Sequence, residues 1–315
     1  MKVTILGGGA WGTTLAQLAQ QAGHTAHLWS RSESLTDALT NADYIFAALP
    51  MKAVREVAHR VQGNNLYKPG TVLISATKGL ELESEETAAD ASAAPLKTAS
   101  QVWEFCCPRL TVAALSGPNL AAEIANGLPC ATVVAHADPA ISVQVQQVLA
   151  QERFRVYTSP DRIGVELGGA LKNVMAIAAG VSDGLGLGAN AKAALVTRGL
   201  AEIVRVGVYL DGQAETFYGL SGLGDLLATC NSSLSRNYQV GFALGQGKSL
   251  SEILRQLKGT AEGLNAAQVL SQYSSRLGLV TPITDQVTAL AQERTRPADA
   301  LQALMGRSLK PEQLV

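Results

Sequence analysis

The sequence has few of the side chains that most often carry acid–base or metal chemistry near neutral pH. Only four of its 315 residues are histidines, and none of them lies beyond residue 136. The four cysteines form no C-x-x-C pair, so the sequence predicts neither a zinc site nor a disulfide framework. Chemistry in the second half of the chain must therefore use lysine, aspartate or tyrosine, and we expect no bound metal.

Charge is also scarce. Charged residues make up 16% of the chain and the net charge is −1, which argues against nucleic-acid binding and against a polybasic membrane patch. The most apolar long segment, residues 163–181, contains Glu166 and Lys172, so a membrane span is not expected. Because a glycine-rich run begins at Gly7, leaving no room for a signal peptide, and the cysteines suit a reducing compartment, we expect a cytoplasmic protein without stable membrane association.

The first chemical signal is a glycine-rich turn that follows a short apolar strand. Residues 7–12 read GGGAWG and match G-x-G-x-x-G; a helix and the strand 25–29 come next. This strand–turn–helix–strand order predicts a dinucleotide site whose pyrophosphate lies at the helix N-terminus. An ordinary turn between strand and helix is the alternative.

The end of the second strand bears on the choice of cofactor. It reads Ser30-Arg31-Ser32, whereas an NAD-preferring site places Asp or Glu there to hold the ribose 2′-hydroxyl. Arg31 can instead pair with a 2′-phosphate, so we expect NADP(H) to be preferred, with NAD(H) as an alternative. A solvated surface arginine is the competing interpretation.

Alternation of strands and helices over residues 1–158 predicts a mostly parallel, doubly wound sheet of the Rossmann-like α/β class. Within it, residues 81–101 are predicted as an exposed helix or loop without chemistry. Only helices are predicted after residue 160. We therefore expect a dinucleotide-binding domain at residues 1–160 and an all-α domain at 161–315, with the ligand site in the cleft between them.

The helix predicted for residues 164–181 carries Lys172 among apolar and small side chains. Burial would disfavour the charged amine, lower its pKa and make it a general acid or base near neutral pH. The alternative is a lysine with its stem on apolar surface and its amine in water. Glycines in this stretch predict the close approach of another backbone or of a ligand: Gly164, Gly168, Gly169 and Gly180.

Lys78 and Asp225 extend the candidate site. Lys78 follows the predicted strand 71–76, at the strand end where ligands bind in such sheets; a surface loop lysine is the alternative. Asp225 opens a helix after a glycine-rich turn, on one helical face with Thr229. A capping acid is the alternative for Asp225.

Polar helix starts suggest a phosphate site. Ser235, Arg236 and Asn237 precede a predicted helix, where guanidinium and backbone N–H groups could hold a phosphate. A solvated arginine beside an asparagine cap is equally compatible with the local sequence. Thr260 and Glu262 also stand at a helix start, where a first-turn acid is the simpler interpretation of Glu262.

Taken in order, these motifs resemble bacterial-type NAD(P)-dependent glycerol-3-phosphate dehydrogenases over nearly the whole chain. One motif alone would be weak, but the ordered set is highly specific. The matching segments are GGGAWG (7–12), ATKGLE (76–81), SGPNLAAE (116–123), IGVELGGALKNV (163–174), GANAKAALVTRGLAE (188–202), GLGDLLATC (222–230), SRN (235–237) and EGLNAAQ (262–268).

The resemblance implies reduction of dihydroxyacetone phosphate to sn-glycerol 3-phosphate, or the reverse, by a homodimer that supplies phospholipid synthesis. Lys172 would donate and accept the proton, with Asp225 and Lys78 orienting it and the substrate. The implied cofactor residues are Gly7, Gly9, Ala10, Trp11, Gly12, Arg31, Lys78, Ala121, Arg236, Thr260 and Glu262. The implied substrate residues are Lys78, Gly117, Asn119, Lys172, Asn173, Asp225, Thr229, Ser235, Arg236 and Asn237.

The chain departs from the family pattern in two places. Between Arg31 and Tyr44 it lacks a helix and strand region that the family usually carries, which predicts a more open adenosine pocket. Asn119 stands where threonine is common, and it keeps a hydrogen-bonding group. Two other functions stay open: a lysine-dependent reductase of a carboxylate substrate such as a ketoacid, and a non-catalytic NADP-binding sensor.

Overall fold

A computed structural model of the protein describes residues 1–83, 95–257, 259–309 and 311–312. Its first half is an α/β Rossmann-like unit and its second half is helical. The strands are β1 (Lys2–Leu6), β2 (Thr25–Trp29), β3 (Tyr44–Ala47), β4 (Val72–Ser75), β5 (Leu80–Leu82), β6 (Leu96–Thr98), β7 (Thr111–Ser116), β8 (Cys130–Ala135) and β9 (Phe154–Ser159).

The helices lie on the faces of the sheet in the first half and pack on one another in the second half. A π-helical turn, Leu220–Gly224, precedes α10. The helices are α1 (Ala10–Gln21), α2 (Leu35–Leu39), α3 (Met51–Gly63), α4 (Ala99–Cys106), α5 (Ala121–Ala125), α6 (Pro139–Leu149), α7 (Arg162–Gly184), α8 (Gly188–Tyr209), α9 (Ala214–Phe217), α10 (Asp225–Cys230), α11 (Arg236–Gly245), α12 (Leu250–Gln256), α13 (Glu262–Leu277), α14 (Pro282–Ala291) and α15 (Pro297–Met305).

The main sheet has seven strands in the order β2-β1-β3-β4-β7-β8-β9. Every neighbouring pair is parallel except β7 and β8, which are antiparallel. Central strands such as β3 (YIFA) and β4 (VLIS) are buried on both faces, which explains why they read as continuous apolar runs rather than alternating ones. The predicted fold class is confirmed, and the carboxyl ends of β1, β3, β4 and β7 share one edge of the sheet.

Helix α7 is the central helix of the second half. It is buried from Gly164 to Ser182. By length and composition it could cross a membrane, but 94% of its apolar window is buried inside the protein. The predicted close approach at its glycines is confirmed, since a Cβ on Gly168 would lie 2.7 Å from the carbonyl oxygen of Ser221 and one on Gly180 would overlap α11. A core helix packed this tightly explains the apolar composition without a bilayer.

The prediction for residues 81–101 is wrong where the structure describes them; residues 84–94 lie outside the described residues. Strands β5 and β6 form an antiparallel pair, and α4 begins at Ala99 with a capping box between Thr98 and Gln101. Each strand is only three residues long, which is too short to give a clear period.

Candidate active site

The site lies where the carboxyl ends of β4 and β7 meet helix α7. After β4 the chain turns through Thr77, whose hydroxyl donates to the carbonyl oxygen of Leu49 at 2.8 Å, into Lys78. After β7 it turns through Gly117, at φ +145°, whose carbonyl oxygen accepts from Lys78 Nζ at 2.8 Å. Both turns lie at the sheet edge where ligands bind in folds of this class.

Asp225 holds two lysines at once. Its Oδ1 accepts from Lys172 Nζ at 2.8 Å and its Oδ2 accepts from Lys78 Nζ at 2.7 Å. Asp225 is 2% exposed, and it is the first residue of α10, directly after the N-cap Gly224. The capping-acid interpretation is therefore not needed, because each carboxylate oxygen has a cationic partner.

Lys172 is buried, and its amine makes two side-chain hydrogen bonds. It is 6% exposed, and its Nζ also donates to Thr229 Oγ1 at 2.6 Å. The amine is thus not in water, which excludes the alternative that only the stem is buried. Burial lowers the pKa of Lys172 to about 8, with Asp225 opposing this shift and the charge of Lys78 adding to it. A lysine with such a pKa can exchange a proton near neutral pH.

Two asparagines extend the site towards α11 and α13. Asn173 Nδ2 donates to the carbonyl oxygen of Lys78 at 3.2 Å, and its Oδ1 accepts from Asn237 Nδ2 at 2.9 Å. The Oδ1 of Asn237 accepts in turn from the backbone N–H of Gly263 at 3.0 Å. Ser235 is the N-cap of α11 and accepts from Tyr238 N. The structure therefore brings the N-termini of α11 and α13 next to the lysine pair.

The glycine motif fits a dinucleotide pyrophosphate. Gly7 has φ +118°, and a Cβ there would lie 2.5 Å from the carbonyl oxygen of Ala48, while a Cβ on Gly12 would overlap Gly7. In contrast, nothing lies within 4 Å of the position that a Cβ on Gly9 would occupy. Gly9 is the N-cap of α1 and has no side-chain cap. The space above Gly9 and the N–H groups of this helix end suit an anion.

The other predicted cofactor residues of the first half and of α13 differ in exposure and contacts. Arg31 is exposed after β2, Trp11 is half-buried in the first turn of α1, and Ala121 accepts from Thr14 Oγ1 at 3.3 Å. Glu262 Oε2 lies 3.4 Å from the backbone nitrogen of Met51, at the start of α3, and burial raises its pKa.

Arg236 and Asn119 are placed less directly than Asn237. Arg236 is exposed and its guanidinium lies against Gly259, beside half-buried Thr260. It also lines a cavity of about 420 Å³ with residues of α11 and α12. Asn119 uses its amide internally, donating to Cys130 Sγ at 3.2 Å and accepting from Thr132 at 3.0 Å. Neither side chain bonds to the lysine pair in this structure.

One buried acid near the site was not predicted. Glu166 is 4% exposed on α7 and accepts from Ser75 Oγ at 3.0 Å and from Ser100 N at 2.9 Å. A carboxylate in an otherwise apolar, glycine-containing helix is itself a sequence signal, because such groups are rarely buried without partners. Among the described residues, no three His, Cys, Asp or Glu side chains group together as a metal site would need.

Family models match both halves of the chain. The model for the NAD-dependent glycerol-3-phosphate dehydrogenase N-terminus matches residues 2–41 and 31–142, and the model for the C-terminus of the same enzyme matches residues 161–302. The two N-terminal matches overlap at residues 31–41.

Individual relatives span the chain. It is 55% identical over 314 residues to the glycerol-3-phosphate dehydrogenase (NAD(P)+) of Gloeobacter violaceus, with 99% of each chain covered. It is 53% identical to the protein of the same name from Trichormus variabilis, with 98% of each covered. A crystal structure of glycerol-3-phosphate dehydrogenase from Coxiella burnetii superposes with a TM-score of 0.87 at 33% identity, covering 97% of this chain and 99% of that one. The Gloeobacter protein thus has nearly the same length.

Proposed function

The chain belongs to the NAD(P)-dependent glycerol-3-phosphate dehydrogenase family, and we propose that it interconverts dihydroxyacetone phosphate and sn-glycerol 3-phosphate. In the reductive direction one hydride and one proton add to the ketone, and NAD(P)H becomes NAD(P)+. The observation that carries the proposal is the buried Asp225 carboxylate shared by Lys172 and Lys78 at the ligand-binding edge of the sheet. It places an amine with a lowered pKa beside a second cation.

Lys172 handles the proton. The dinucleotide, when bound, supplies a hydride to the carbonyl carbon. The Lys172 ammonium donates its proton to the carbonyl oxygen, and in the oxidative direction the neutral amine takes the proton back. Asp225 and Thr229 hold the amine in one orientation through bonds of 2.8 and 2.6 Å. Positioned proton transfer of this kind contributes about 10²–10⁴-fold to the rate.

The substrate phosphate binds at the start of α11. Ser235 and buried Asn237 stand at the first turn of this ten-residue helix, whose N–H groups and dipole favour an anion. Arg236 reaches the phosphate from the exposed side with a charge-assisted bond. The remaining lining groups are Lys78, Gly117, Asn119 and Asn173. Phosphate binding away from the carbonyl fixes the reacting carbon against the cofactor.

The first half of the chain holds the dinucleotide. Gly7, Gly9, Ala10, Trp11 and Gly12 form the pyrophosphate turn. The other cofactor residues that we propose are Arg31, Lys78, Ala121, Arg236, Thr260 and Glu262. Exposed Arg31 would meet a 2′-phosphate, so we propose NADP(H) as the preferred cofactor and NAD(H) as an alternative.

The organisation of the protein follows from the same proposal. Residues 1–160 would bind the dinucleotide and residues 161–315 the substrate, with catalysis in the cleft. We propose a cytoplasmic homodimer that supplies glycerol 3-phosphate for phospholipid synthesis and binds neither nucleic acid nor membrane. Light scattering of the purified protein would give the oligomeric state directly, and a monomeric mass would contradict the homodimer.

The test is nicotinamide absorbance with purified protein and dihydroxyacetone phosphate. We expect substrate-dependent oxidation of NADPH, slower oxidation of NADH, and a smaller NADPH preference for Arg31→Ala. Lys172→Ala should lose about 10²–10⁴-fold in kcat. Oxidation of NADPH or NADH in the presence of ketopantoate, but not of dihydroxyacetone phosphate, would favour a ketoacid reductase. Dinucleotide binding by calorimetry without turnover of any substrate would favour the sensor.

A further inference from the structure

We propose that Glu166 is a positioning residue that ties the strand end carrying Lys78 to the helix carrying Lys172, and so keeps both lysines on Asp225. This rests on the proposed reaction, in which the two lysines act on one substrate. Glu166 does not touch the lysines themselves, so its effect is exerted through the segment from Ser75 to Lys78.

Glu166 joins three elements. It lies on α7 and is 4% exposed. Its carboxylate accepts from the hydroxyl of Ser75, the last residue of β4, at 3.0 Å, and from the backbone N–H of Ser100, in the first turn of α4, at 2.9 Å. The hydroxyl of Ser100 donates to it as well. All its bonding partners come from the sheet half of the protein, so it fastens α7 to that half.

The short segment from Ser75 to Lys78 is held by α7 at both ends. Glu166 binds Ser75 at one end, and Asn173 Nδ2 donates to the carbonyl oxygen of Lys78 at the other end at 3.2 Å. Gly169 lies between these two anchors; a Cβ there would overlap Ser116 Oγ and come within 3.4 Å of the Lys78 stem. Residues at this helical spacing face one side, so a single face of α7 sets the position of Lys78.

A carboxylate is the group that these contacts require. When ionised, it only accepts hydrogen bonds, through two oxygens, whereas a glutamine amide offers one accepting oxygen and a donating NH₂. Burial raises the pKa of Glu166, and its bonds to Ser100 and the charge of Arg162 oppose that shift. Ser75 Oγ and Ser100 N share Oε1, and the Ser100 hydroxyl bonds to Oε2, so a glutamine with its oxygen in place of Oε1 keeps the Ser75 bond. Removing the Ser75 hydroxyl, in contrast, breaks the bond that ties the end of β4 to α7.

The position of Lys78 affects Lys172 through Asp225. The positive charge of Lys78 lowers the pKa of Lys172. If Lys78 moved away, Asp225 would interact with Lys172 alone, and the pKa of Lys172 would rise. Loss of overall stability would not have this effect, because the molecules that remain folded would keep the same lysine pair.

The decisive experiment compares two alanine variants, each of which lacks one serine hydroxyl that donates to the Glu166 carboxylate. Ser75→Ala loosens the segment that leads to Lys78, whereas Ser100→Ala removes a bond on the α4 side and leaves the backbone N–H of Ser100 in place. For Ser75→Ala we expect the pKa in the kcat–pH profile to rise by about half a unit or more, and for Glu166→Gln, which can keep an acceptor for Ser75, we expect a smaller rise. We also expect the KM for dihydroxyacetone phosphate to rise about threefold to tenfold, with the KM for NADPH unchanged. Ser100→Ala should keep the wild-type pH profile.

Glu202→Gln is the matched control. Glu202 is 2% exposed and accepts from Ile283 N, Thr284 N and the Thr284 hydroxyl, but it lies on α8 and binds the start of α14. We expect this variant to lower stability without changing the pH profile or the substrate KM. Equal profiles for wild type and Ser75→Ala would overturn the proposal, as would the same shift in Glu202→Gln.

A second readout separates this proposal from the proposed reaction. The Cε chemical shift of Lys172, followed by NMR across pH in protein with isotope-labelled lysine, reports the neutral amine without any turnover. A titration midpoint at higher pH in Ser75→Ala than in wild type supports the positioning role even if dihydroxyacetone phosphate is not a substrate. Unchanged midpoints, with normal reduction of dihydroxyacetone phosphate by the wild type, would overturn the role of Glu166 alone.

Discussion

Asn237 and Asn173 join helices α11 and α7 by a side-chain hydrogen bond of 2.9 Å. One helical turn further along each helix, a Cβ on Gly241 would overlap the carbonyl oxygen of Ile177. The two helices therefore run side by side in the same direction, with backbones close enough to require glycine. This packing places the proposed phosphate-binding end of α11 beside Asn173, the residue that follows Lys172.

Replacing Asn237 by alanine should weaken both the packing and the substrate site. The change leaves the side-chain oxygen Oδ1 of Asn173 and the backbone N–H of Gly263 without these partners, which costs about 1–3 kcal/mol when such groups are buried. We expect a lower urea midpoint and a higher KM for dihydroxyacetone phosphate. Asn231→Ala, at an exposed helix end, is the control and should change both quantities little. An unaltered KM in Asn237→Ala would remove Asn237 from the substrate site.

Gly241→Ala should destabilise the protein through contact with α7. The added methyl group would meet the Ile177 backbone, which cannot rotate away as a side chain could, and overpacking of this kind costs about 1–3 kcal/mol or more. Thermal unfolding measures the loss. The control is Gly63→Ala at the end of α3, where nothing lies within 4 Å and alanine favours the helix. If both variants unfolded at the wild-type temperature, the close packing of α7 and α11 would be wrong.

Gly9→Ala and Gly12→Ala should separate cofactor binding from folding. A methyl group on Gly9 enters open space, where we place the pyrophosphate, while one on Gly12 overlaps Gly7. We expect Gly9→Ala to keep its unfolding temperature but to bind NADPH at least about tenfold more weakly by calorimetry, since the backbone approaches the pyrophosphate at this glycine. Gly12→Ala should unfold at a lower temperature. Wild-type NADPH affinity in Gly9→Ala would contradict the proposed pyrophosphate site.

The pH dependence should have opposite signs in the two directions of the reaction. Reduction needs the Lys172 ammonium, whose pKa is lowered to about 8 by burial, so kcat for reduction should fall about tenfold per pH unit above that value. Oxidation needs the neutral amine, so kcat for oxidation should rise up to about the same pH and then level off. Initial rates of both reactions, measured from about pH 6 to 10, test these opposite signs. The same sign in both directions would exclude Lys172 as the proton carrier.

Local features were predictable from the sequence because their physical causes are local. The glycine turn at residues 7–12 needs particular backbone geometry and space, and it is visible without any tertiary contact. Lys172 among small and apolar residues indicated a desolvated amine for the same reason. The strand–helix alternation and the helical second half were also readable from period alone. Residues 81–101 were not, because strands of three residues carry too little pattern.

The tertiary structure decided which of these residues meet. Lys172 and Asp225 are 53 positions apart, Asn173 and Asn237 are 64 apart, and Ser75 and Glu166 are 91 apart. Periodicity assigns each of them to a face or an end of its own element, but it does not say which face packs on which. From the sequence alone, Asp225 could therefore be a helix cap or a partner of lysines, and the packing of α10 on α7 shows that it is a partner of lysines. The sequence alone determined the kinds of chemistry available, and the packing of distant elements selected the pairs that can carry it out.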